Sequence, residues 1–198
     1  MKKWLPLIII AVVVFLIVQW GIGISNKMVE MSGNAQKQWA NVESAYQRRS
    51  DLIGNLVKTV QGAADFERGT LTDVIEARAK ATSVNIDASN LTPETMAQFQ
   101  EAQSGLSSAL SRLLVSVERY PDLKANQNFL ELQSQIEGTE NRINVERNRF
   151  NDVAGNYNIY IKKFPNSIIA NFGGHQPMTL FKAQEGAEKA PNVEFNFK

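Results

Sequence analysis

The chain has 198 residues, no cysteine, 21 Lys and Arg and 20 Asp and Glu, which gives a formal net charge of +1. The lack of Cys excludes a disulfide framework, a thiolate metal site and a lipidated cysteine anchor. So small a net charge excludes attraction to nucleic acid through the overall field, and we expect no nucleic-acid partner. Hydrophobic residues make up 43% of the chain, and much of this content lies at the N-terminus.

The N-terminal segment is apolar from Trp4 to Ile24, with Gln19 as its one polar side chain. As a helix, this segment would be roughly 31 Å long at about 1.5 Å per residue, enough to cross the hydrocarbon core of a bilayer. Indole rings favour the membrane interface. We therefore predict a short flank at residues 1–3 and a transmembrane anchor at residues 4–24. The side chains assigned to the anchor are Trp4, Leu5, Phe15 and Trp20.

A cleaved signal peptide is the alternative, because Gly21-Ile22-Gly23 resembles a small-x-small cleavage site. The apolar run is longer than the usual core of a signal peptide, which favours the anchor. Lys2 and Lys3 precede the run, while Lys27 and Lys37 follow it. The positive-inside rule then favours, by a narrow margin, a cytoplasmic N-terminus and an exported C-terminal domain. No second apolar run of this length occurs, so we expect a single-pass protein.

Apolar residues recur at alternating intervals of three and four along three later stretches. The first stripe is Trp39, Val42, Tyr46, Arg49, Ile53, Leu56 and Val60. The second is Met96, Phe99, Gln103, Leu106, Leu110, Leu113 and Val117. The third is Phe129, Leu132, Ile136, Thr139, Ile143, Glu146, Phe150, Val153, Tyr157, Tyr160 and Phe164. This spacing is typical of long helices that pack with knobs into holes. The sequence therefore predicts an all-α, elongated antiparallel bundle of three long helices over residues 25–164.

The segment between the first two stripes has two interpretations. It either continues helix 1 or forms a separate short helix after Gly62–Gly69. Each of Gly54, Gly62 and Gly69 weakens a straight helix by about 1 kcal/mol relative to Ala. We therefore expect helix 1 to be bent or split, with helical structure ending near residues 82–85.

Boundary residues separate the remaining elements. Thr92 is placed to cap helix 2, and Asn126 or Asn128 to cap helix 3. Pro121 disfavours helical geometry at the residue before it, so the stretch YPDL should turn the chain between helices 2 and 3. Pro165 should end helix 3. The tail, residues 165–198, is predicted to be irregular and docked on the bundle, with a short helix near residues 178–189. The docking side chains are expected to be Phe172, Phe181, Phe195 and Phe197.

Several motifs resemble those of the LemA family, over the anchor and residues 34–198. They are Y-x-R-R-x-D-L-x-x-N-L-V at Tyr46–Val57, E-G-T-E-N-R-I at Glu137–Ile143, and FKAQEGAEKAPNVEF near the end. The resemblance implies a bacterial inner-membrane protein with an antiparallel helical bundle behind one transmembrane helix, and a role in the cell envelope. It implies no particular biochemical activity. Two departures are Gly54, where the family commonly has Pro, and Glu146, where a small residue is expected.

Charged residues on the stripes could form a site. Arg49 and Glu146 lie on apolar stripes, and a buried charge without a partner costs several kcal/mol. One interpretation is a polar site inside the bundle, including a carboxylate metal site. Di-metal bundles use a Glu-x-x-His pair on each of two helices, and this chain has one His, His175. We therefore favour a structural network of ion pairs and hydrogen bonds and expect no cofactor. Its members are Arg48, Arg49, Asp51, Glu137, Glu140 and Arg142.

No catalytic arrangement is recognisable in the sequence. His175 is expected to be an exposed loop residue, and Gly173-Gly174 matches neither common phosphate-binding motif. No Ser has a base placed beside it. We expect a non-enzymatic, membrane-anchored scaffold or adaptor without a small-molecule substrate, which acts through a protein partner or as a homo-oligomer. The alternatives are an extracytoplasmic ligand-binding or sensor bundle, and an enzyme with an unrecognised site inside the bundle.

Overall fold

The computed structural model describes residues 4–62, 66–84, 86–88 and 91–182, and the structural statements below concern these residues. Within them the chain forms six helices and no strand. The helices are α1 (Leu5–Gln61), α2 (Arg68–Ser83), α3 (Pro93–Val117), α4 (Pro121–Lys124), α5 (Gln127–Lys162) and α6 (Asn166–Gly173). The all-α prediction is confirmed. The predicted flank at residues 1–3 and the side chain of Leu5 lie outside the described part.

Helix α1 contains both the predicted anchor and the first helix of the bundle. It is one element of 57 residues, roughly 86 Å long at the usual rise per residue. The apolar side chains of its first part are exposed, with Phe15 61% and Trp20 51% accessible. Beyond Ile24 burial becomes periodic, and Met28 and Trp39 are fully buried. The helix is therefore uninterrupted where the anchor passes into the bundle.

The four long helices alternate in direction. Val60 of α1 packs in one cluster with Phe129 at the start of α5, whereas Met28 packs with Tyr157 near the end of α5. Helix α5 is therefore antiparallel to α1, against which it packs most extensively. Of the two interpretations of the segment after Gly62, the separate helix is correct: α2 turns back along α1, and α3 turns again to pair with α2.

The predicted stripes form the core of the bundle. Every member of the first and second stripes is buried, including the polar Arg49 and Gln103. The third stripe is also buried or half-buried, with one exception. Phe164 is 82% exposed, because α5 ends at Lys162 and Phe164 lies in the connection to α6. Its assignment to the core was wrong.

An aromatic cluster around Trp39 joins three helices and the tail. Its ring centroid lies 5.5 Å from that of Phe99 on α3, 5.3 Å from Phe150 on α5 and 5.6 Å from Phe181 in the tail. Such pairs contribute about 0.5–1.5 kcal/mol each beyond the area that they bury. The predicted docking of Phe181 is confirmed, and this side chain is 6% exposed.

Side-chain caps begin two helices where the sequence predicts them. The Thr92 hydroxyl accepts a hydrogen bond from the Thr95 amide at 3.2 Å at the start of α3. The Asn126 carboxamide accepts one from the Phe129 amide at 3.2 Å at the start of α5. Between these helices, the YPDL stretch forms the single helical turn α4, which redirects the chain.

Gly54 allows α2 to approach α1 closely. A Cβ atom at this position would lie 3.2 Å from the Arg78 guanidinium carbon. Arg78 Nε donates to the Ser50 carbonyl at 2.8 Å, one turn before Gly54. Because Gly54 lacks a side chain, the guanidinium fits against the backbone of α1. Helix α1 continues through Gly54 without a break.

The tail after α6 is extended and is held by two asparagine side chains of α5. Asn151 donates to the Phe181 carbonyl and accepts from the Phe181 amide, both at 2.9 Å. Asn158 makes the same pair with Met178, both at 2.8 Å. Seven helical residues rise about 10.5 Å, and three extended residues span about 10 Å, so the two spacings match.

Two expectations for the tail were wrong. Phe172, expected to dock, is 90% exposed at the end of α6, a helix that the sequence analysis did not predict. Residues 178–182 form no helix and have no regular secondary structure. The rest of the helix predicted near residues 178–189 lies outside the described residues, as do Phe195 and Phe197.

Replacing Asn158 by Ala should loosen the tail at Met178. Two hydrogen bonds are lost, each worth about 1 kcal/mol, so protection of the Met178 amide from hydrogen exchange should fall by about 30-fold. Native-state exchange of the full chain measures this. Asn148→Ala, an exposed change on the same helix, is the matched control and should leave Met178 unaffected. Equal protection in the two variants would show that the amide pair does not hold the tail.

Candidate functional site

A polar centre lies in the middle of the bundle around Arg49 of α1, which is 3% exposed. One terminal nitrogen of its guanidinium donates to Glu140 Oε2 of α5 at 2.6 Å and to Ser107 Oγ of α3 at 3.3 Å. The other donates to Gln103 Oε1 of α3 at 2.8 Å. One buried cation therefore connects three helices.

The fourth long helix joins this centre through Gln103. Its amide nitrogen donates to the Ala81 carbonyl of α2 at 3.4 Å. The Arg49 guanidinium also lies over the Tyr46 ring, 5.0 Å from its centroid. Burial raises the pKa of the Tyr46 phenol above its usual range, and the charges of Arg147 and Arg49 partly offset this effect. Arg49 Nε is buried without a hydrogen-bond partner.

Of the six residues predicted to form a network, the structure brings two together, Arg49 and Glu140. Arg48 and Arg142 are exposed, and neither forms an ion pair within the described residues. Each lies one position before a buried stripe residue, on a side of its helix that faces solvent. The main partner missing from the predicted network is Gln103, although its place on the second stripe indicates a buried amide.

The other two predicted members make local contacts at the surface. Asp51 accepts a hydrogen bond from Gln47 at 2.9 Å and lies 3.7 Å from an Arg78 nitrogen. Glu137 is exposed and accepts from Gln133 at 3.2 Å. Neither of these carboxylates contacts Arg49.

A second buried charge lies nearer the end of the bundle that adjoins the exposed apolar segment of α1. Glu146 of α5 is 6% exposed and accepts a hydrogen bond from Gln38 of α1 at 2.7 Å. Arg149 pairs with its other oxygen at 3.2 Å. Gln38 precedes the first stripe by one residue, so its role could not be inferred from the stripe. The signal was Glu146 itself, a charge where a small residue was expected.

Two cavities flank the polar centre. One, of about 380 Å³, lies between α1, the end of α2 and α3; the other, of about 290 Å³, lies between α1, α3 and α5. Ser50 lines the first, and its buried hydroxyl has no hydrogen-bond partner. Glu43 lines it as well. Burial raises the pKa of the Glu43 carboxyl, and the nearby Trp39 indole, which lies outside hydrogen-bonding geometry, partly offsets the rise.

Metal-binding groups do not gather in the part of the chain that the structure describes, where no three His, Cys, Asp or Glu side chains are placed to hold an ion. His175 follows α6 and is half-buried rather than exposed as expected. The turn before it uses Gly174 at a φ of 71°, a conformation that favours glycine. Chemically, the polar centre can provide hydrogen-bond acceptors to the buried Arg49 guanidinium, and it can offer hydrogen bonds to a molecule in either cavity.

Fold and site together define a class: a helical bundle continuous with one helix long and apolar enough to cross a membrane. The chain belongs to the LemA family, whose model matches residues 38–195. The family resemblance read from the sequence is therefore confirmed. Its N-terminal helix and its relatives are consistent with a membrane-associated bacterial protein.

Curated relatives include proteins with two different names. Magnetosome protein MamQ 2 of Paramagnetospirillum magneticum is 26% identical over 82% of this chain and 66% of its own length. Magnetosome protein MamQ of Magnetospirillum gryphiswaldense is 27% identical over 79% of this chain and 64% of its own. Protein LemA of Metamycoplasma hominis is 23% identical over 83% and 71%. The chain thus spans about two thirds of the length of the MamQ relatives that it matches.

Replacing Glu140 by Gln should destabilise the bundle, because it leaves the buried Arg49 guanidinium without its counter-charge. We expect a loss of about 1–3 kcal/mol in unfolding free energy, at the low end because the Glu140 side chain is 51% exposed. Urea unfolding of the full chain in mild detergent, followed by circular dichroism, measures this.

Glu137→Gln, one turn away on the surface, should change that free energy by no more than about 0.5 kcal/mol. In an Arg49→Met background the cost of Glu140→Gln should largely vanish, since the two residues are coupled. Equal costs for the Glu137 and Glu140 changes would refute the ion-pair account.

Replacing Glu43 by Gln should stabilise the protein at neutral pH. The folded-state pKa of Glu43 is raised, so the folded protein holds this proton more tightly than the unfolded chain does. Stability is therefore lost as pH rises from the ordinary glutamate pKa to the raised value, and above that value the penalty is constant. The advantage of the variant in urea unfolding should be largest near pH 7 and vanish in acid. An advantage independent of pH would mean that the change acts through packing instead.

Proposed function

We propose that this protein is a membrane-anchored helical scaffold or adaptor, without catalytic activity, which acts through contacts with other proteins or with further copies of itself. The observation that carries the proposal is the single uninterrupted helix α1, which joins an exposed apolar span to the bundle. An adaptor has to hold its binding surface in a defined place. A continuous helix does so without a linker, and anchoring raises the local concentration of the bundle near partners in the same membrane.

The packing of the bundle supports a structural role. Its interior contains clusters of buried aromatic and aliphatic side chains, and most of the polar side chains at its centre form hydrogen bonds with one another. The outer faces carry charged and amide side chains together with scattered apolar ones, of which Val115 on α3 is 71% exposed. Such surfaces suit recognition by another helical protein, in which residues at helical spacing bind to a groove.

The proposed orientation places the N-terminus in the cytoplasm and the bundle outside it, in the cell envelope. Lys2 and Lys3 lie before the apolar span, and basic residues before a span are retained on the cytoplasmic side. Lys27 and Lys37 follow the span, so the difference in positive charge between its two sides is small. Two relatives are named as magnetosome proteins and a third as LemA, and similarity to differently named relatives fits a supporting module rather than one fixed activity.

Ligand binding is the second candidate function, favoured by the cavity of about 380 Å³ beside the polar centre. The unpartnered Ser50 hydroxyl and the Glu43 carboxylate face a space large enough for a small polar molecule. A carboxylate together with a free hydroxyl favours a cationic ligand such as an amine. In this case the bundle would sense a solute rather than assemble with a protein.

Crosslinking in cells tests the proposal. A photo-reactive amino acid replaces Val115, and the full-length protein is irradiated in intact cells, extracted in detergent and identified by mass spectrometry. A scaffold predicts a discrete adduct, either of the protein with itself or with one partner. Deleting residues 1–24 should abolish the adduct, because the anchor brings the two surfaces together.

A parallel sample uses spheroplasts and a crosslinker that cannot cross the membrane. An exported bundle predicts the same adduct with this reagent, whereas a cytoplasmic bundle predicts none. The photo-reactive residue is also placed at a second exposed position, Val145. If the protein remains an un-crosslinked monomer with the residue at Val115 and at Val145, the result counts against the scaffold and favours the ligand-binding bundle.

A further inference from the structure

Helix α6 lies beside α1 at the level where the apolar span ends. A Cβ atom on Gly21 of α1 would lie 3.5 Å from the Ile169 side chain, so the two helices are in close contact there. Ala170 is 3% exposed and packs in one cluster with Ile24 and Met28. One face of α6 is thereby fixed to the last residues of the span.

Three large apolar side chains in this region are uncovered. Phe164 is 82% exposed, Ile168 47% and Phe172 90%. Ile168 and Phe172 are four residues apart and share one side of α6. Among the described residues, no large hydrophobic side chain is more exposed than Phe164 and Phe172. Outside the span, the other Phe, Tyr and Trp side chains among the described residues are buried or half-buried.

The level of α6 matches the boundary of a bilayer. From Trp4 to Ile24 the helix rises roughly 30 Å, which equals the thickness of a hydrocarbon core. With Trp4 at one boundary, Gly21 and Ile24 lie near the other, and α6 is packed against them. Helices that lie in this interface bury a face of residues such as Phe and Leu at the boundary between headgroups and acyl chains.

The charges around α6 are suited to lipid headgroups. The helix has the sequence NSIIANFG and contains no charged residue. Lys162 and Lys163, just before it, are exposed and form no ion pair within the described residues. Basic residues near a membrane surface are attracted to anionic lipid. Two lysines followed by exposed aromatic residues are the composition of an interfacial anchor.

We propose that α6 is a second membrane contact: an interfacial helix whose Phe164, Ile168 and Phe172 enter the headgroup region of the leaflet on the bundle side, with Lys162 and Lys163 bound to anionic lipid. The bilayer that α1 is proposed to cross is the occupant of this surface, since α6 contacts the end of the span at Gly21. The proposal rests on the proposed membrane anchoring and adds a specific lipid contact to it. It fixes the end of α5 to the membrane as well as the start of the bundle.

Single spin labels test the contact, and the chain is convenient for this because it contains no native Cys. Three full-length variants, Phe172→Cys, Phe15→Cys and Glu131→Cys, are labelled and placed in phosphatidylcholine vesicles containing phosphatidylglycerol. Phe15 reports on the span, and Glu131 is an exposed position near the start of α5, far from the membrane. Power saturation compares collision with oxygen, which enters lipid, and with a water-soluble nickel complex.

The label at residue 172 should be about 5–10 Å below the headgroup surface, shielded from nickel and accessible to oxygen. The label at residue 131 should collide freely with nickel. Removing phosphatidylglycerol should make the label at 172 shallower. In the Lys162→Gln, Lys163→Gln double variant the depth should no longer depend on that lipid.

Three other results would overturn the proposal. If the label at 15 is deep but the label at 172 collides with nickel as freely as the one at 131, α6 does not contact lipid. The proposal that α1 anchors the protein in the membrane is then retained. If the label at 15 is itself open to nickel, the span does not insert, and both this contact and the membrane anchoring fail. If the label at 172 is shielded from both reagents and shows spin–spin broadening, a second copy of the chain covers the surface instead of lipid.

Discussion

The burial of the Arg49 guanidinium constrains the whole bundle. Its charge is removed from water, and its two terminal nitrogens donate to Gln103 and Ser107 on α3 and to Glu140 on α5. Apolar stripes that repeat every seven residues would pack almost as well after a shift of one repeat. A guanidinium with fixed partners would not, because the shift would leave a cation buried without an acceptor. The polar centre therefore adds a free-energy penalty to shifted registers that the hydrophobic contacts alone would tolerate.

The buried faces could be predicted because helical periodicity is a local property of the sequence. Trp39, Arg49 and Gln103 were assigned to the interior from their spacing alone, and all three are buried. Which charged side chains pair with one another is less predictable from the spacing. Arg48 and Arg142 carry the same charge as Arg49 and lie near it in sequence or on a facing helix, yet they point to solvent. Which neighbour faces inward depends on the rotation of each helix about its axis, and a stripe defines that rotation only to within about one residue.

The tail could not be predicted in the same way, since its contacts have no period. Asn151 and Asn158 each bind a peptide group of an extended segment, and an isolated asparagine on a polar helix face gives no sign of this. Phe181 and Phe172 looked equivalent in the sequence. One fills the cluster around Trp39, while the other lies on the open side of α6, a distinction that arises from the path of the chain after α5.

In a bilayer, the continuity of α1 would couple the tilt of its apolar segment to the position of the whole bundle. About 37 residues of α1 follow the apolar segment, and they form roughly 55 Å of helix without a break. Transmembrane helices tilt by about 20° on average, and such a tilt displaces the far end sideways by roughly 19 Å. Tilt responds to the thickness of the hydrocarbon layer. Membrane thickness would therefore set the position at which the distal end of the bundle meets its surroundings, without any change in the fold itself.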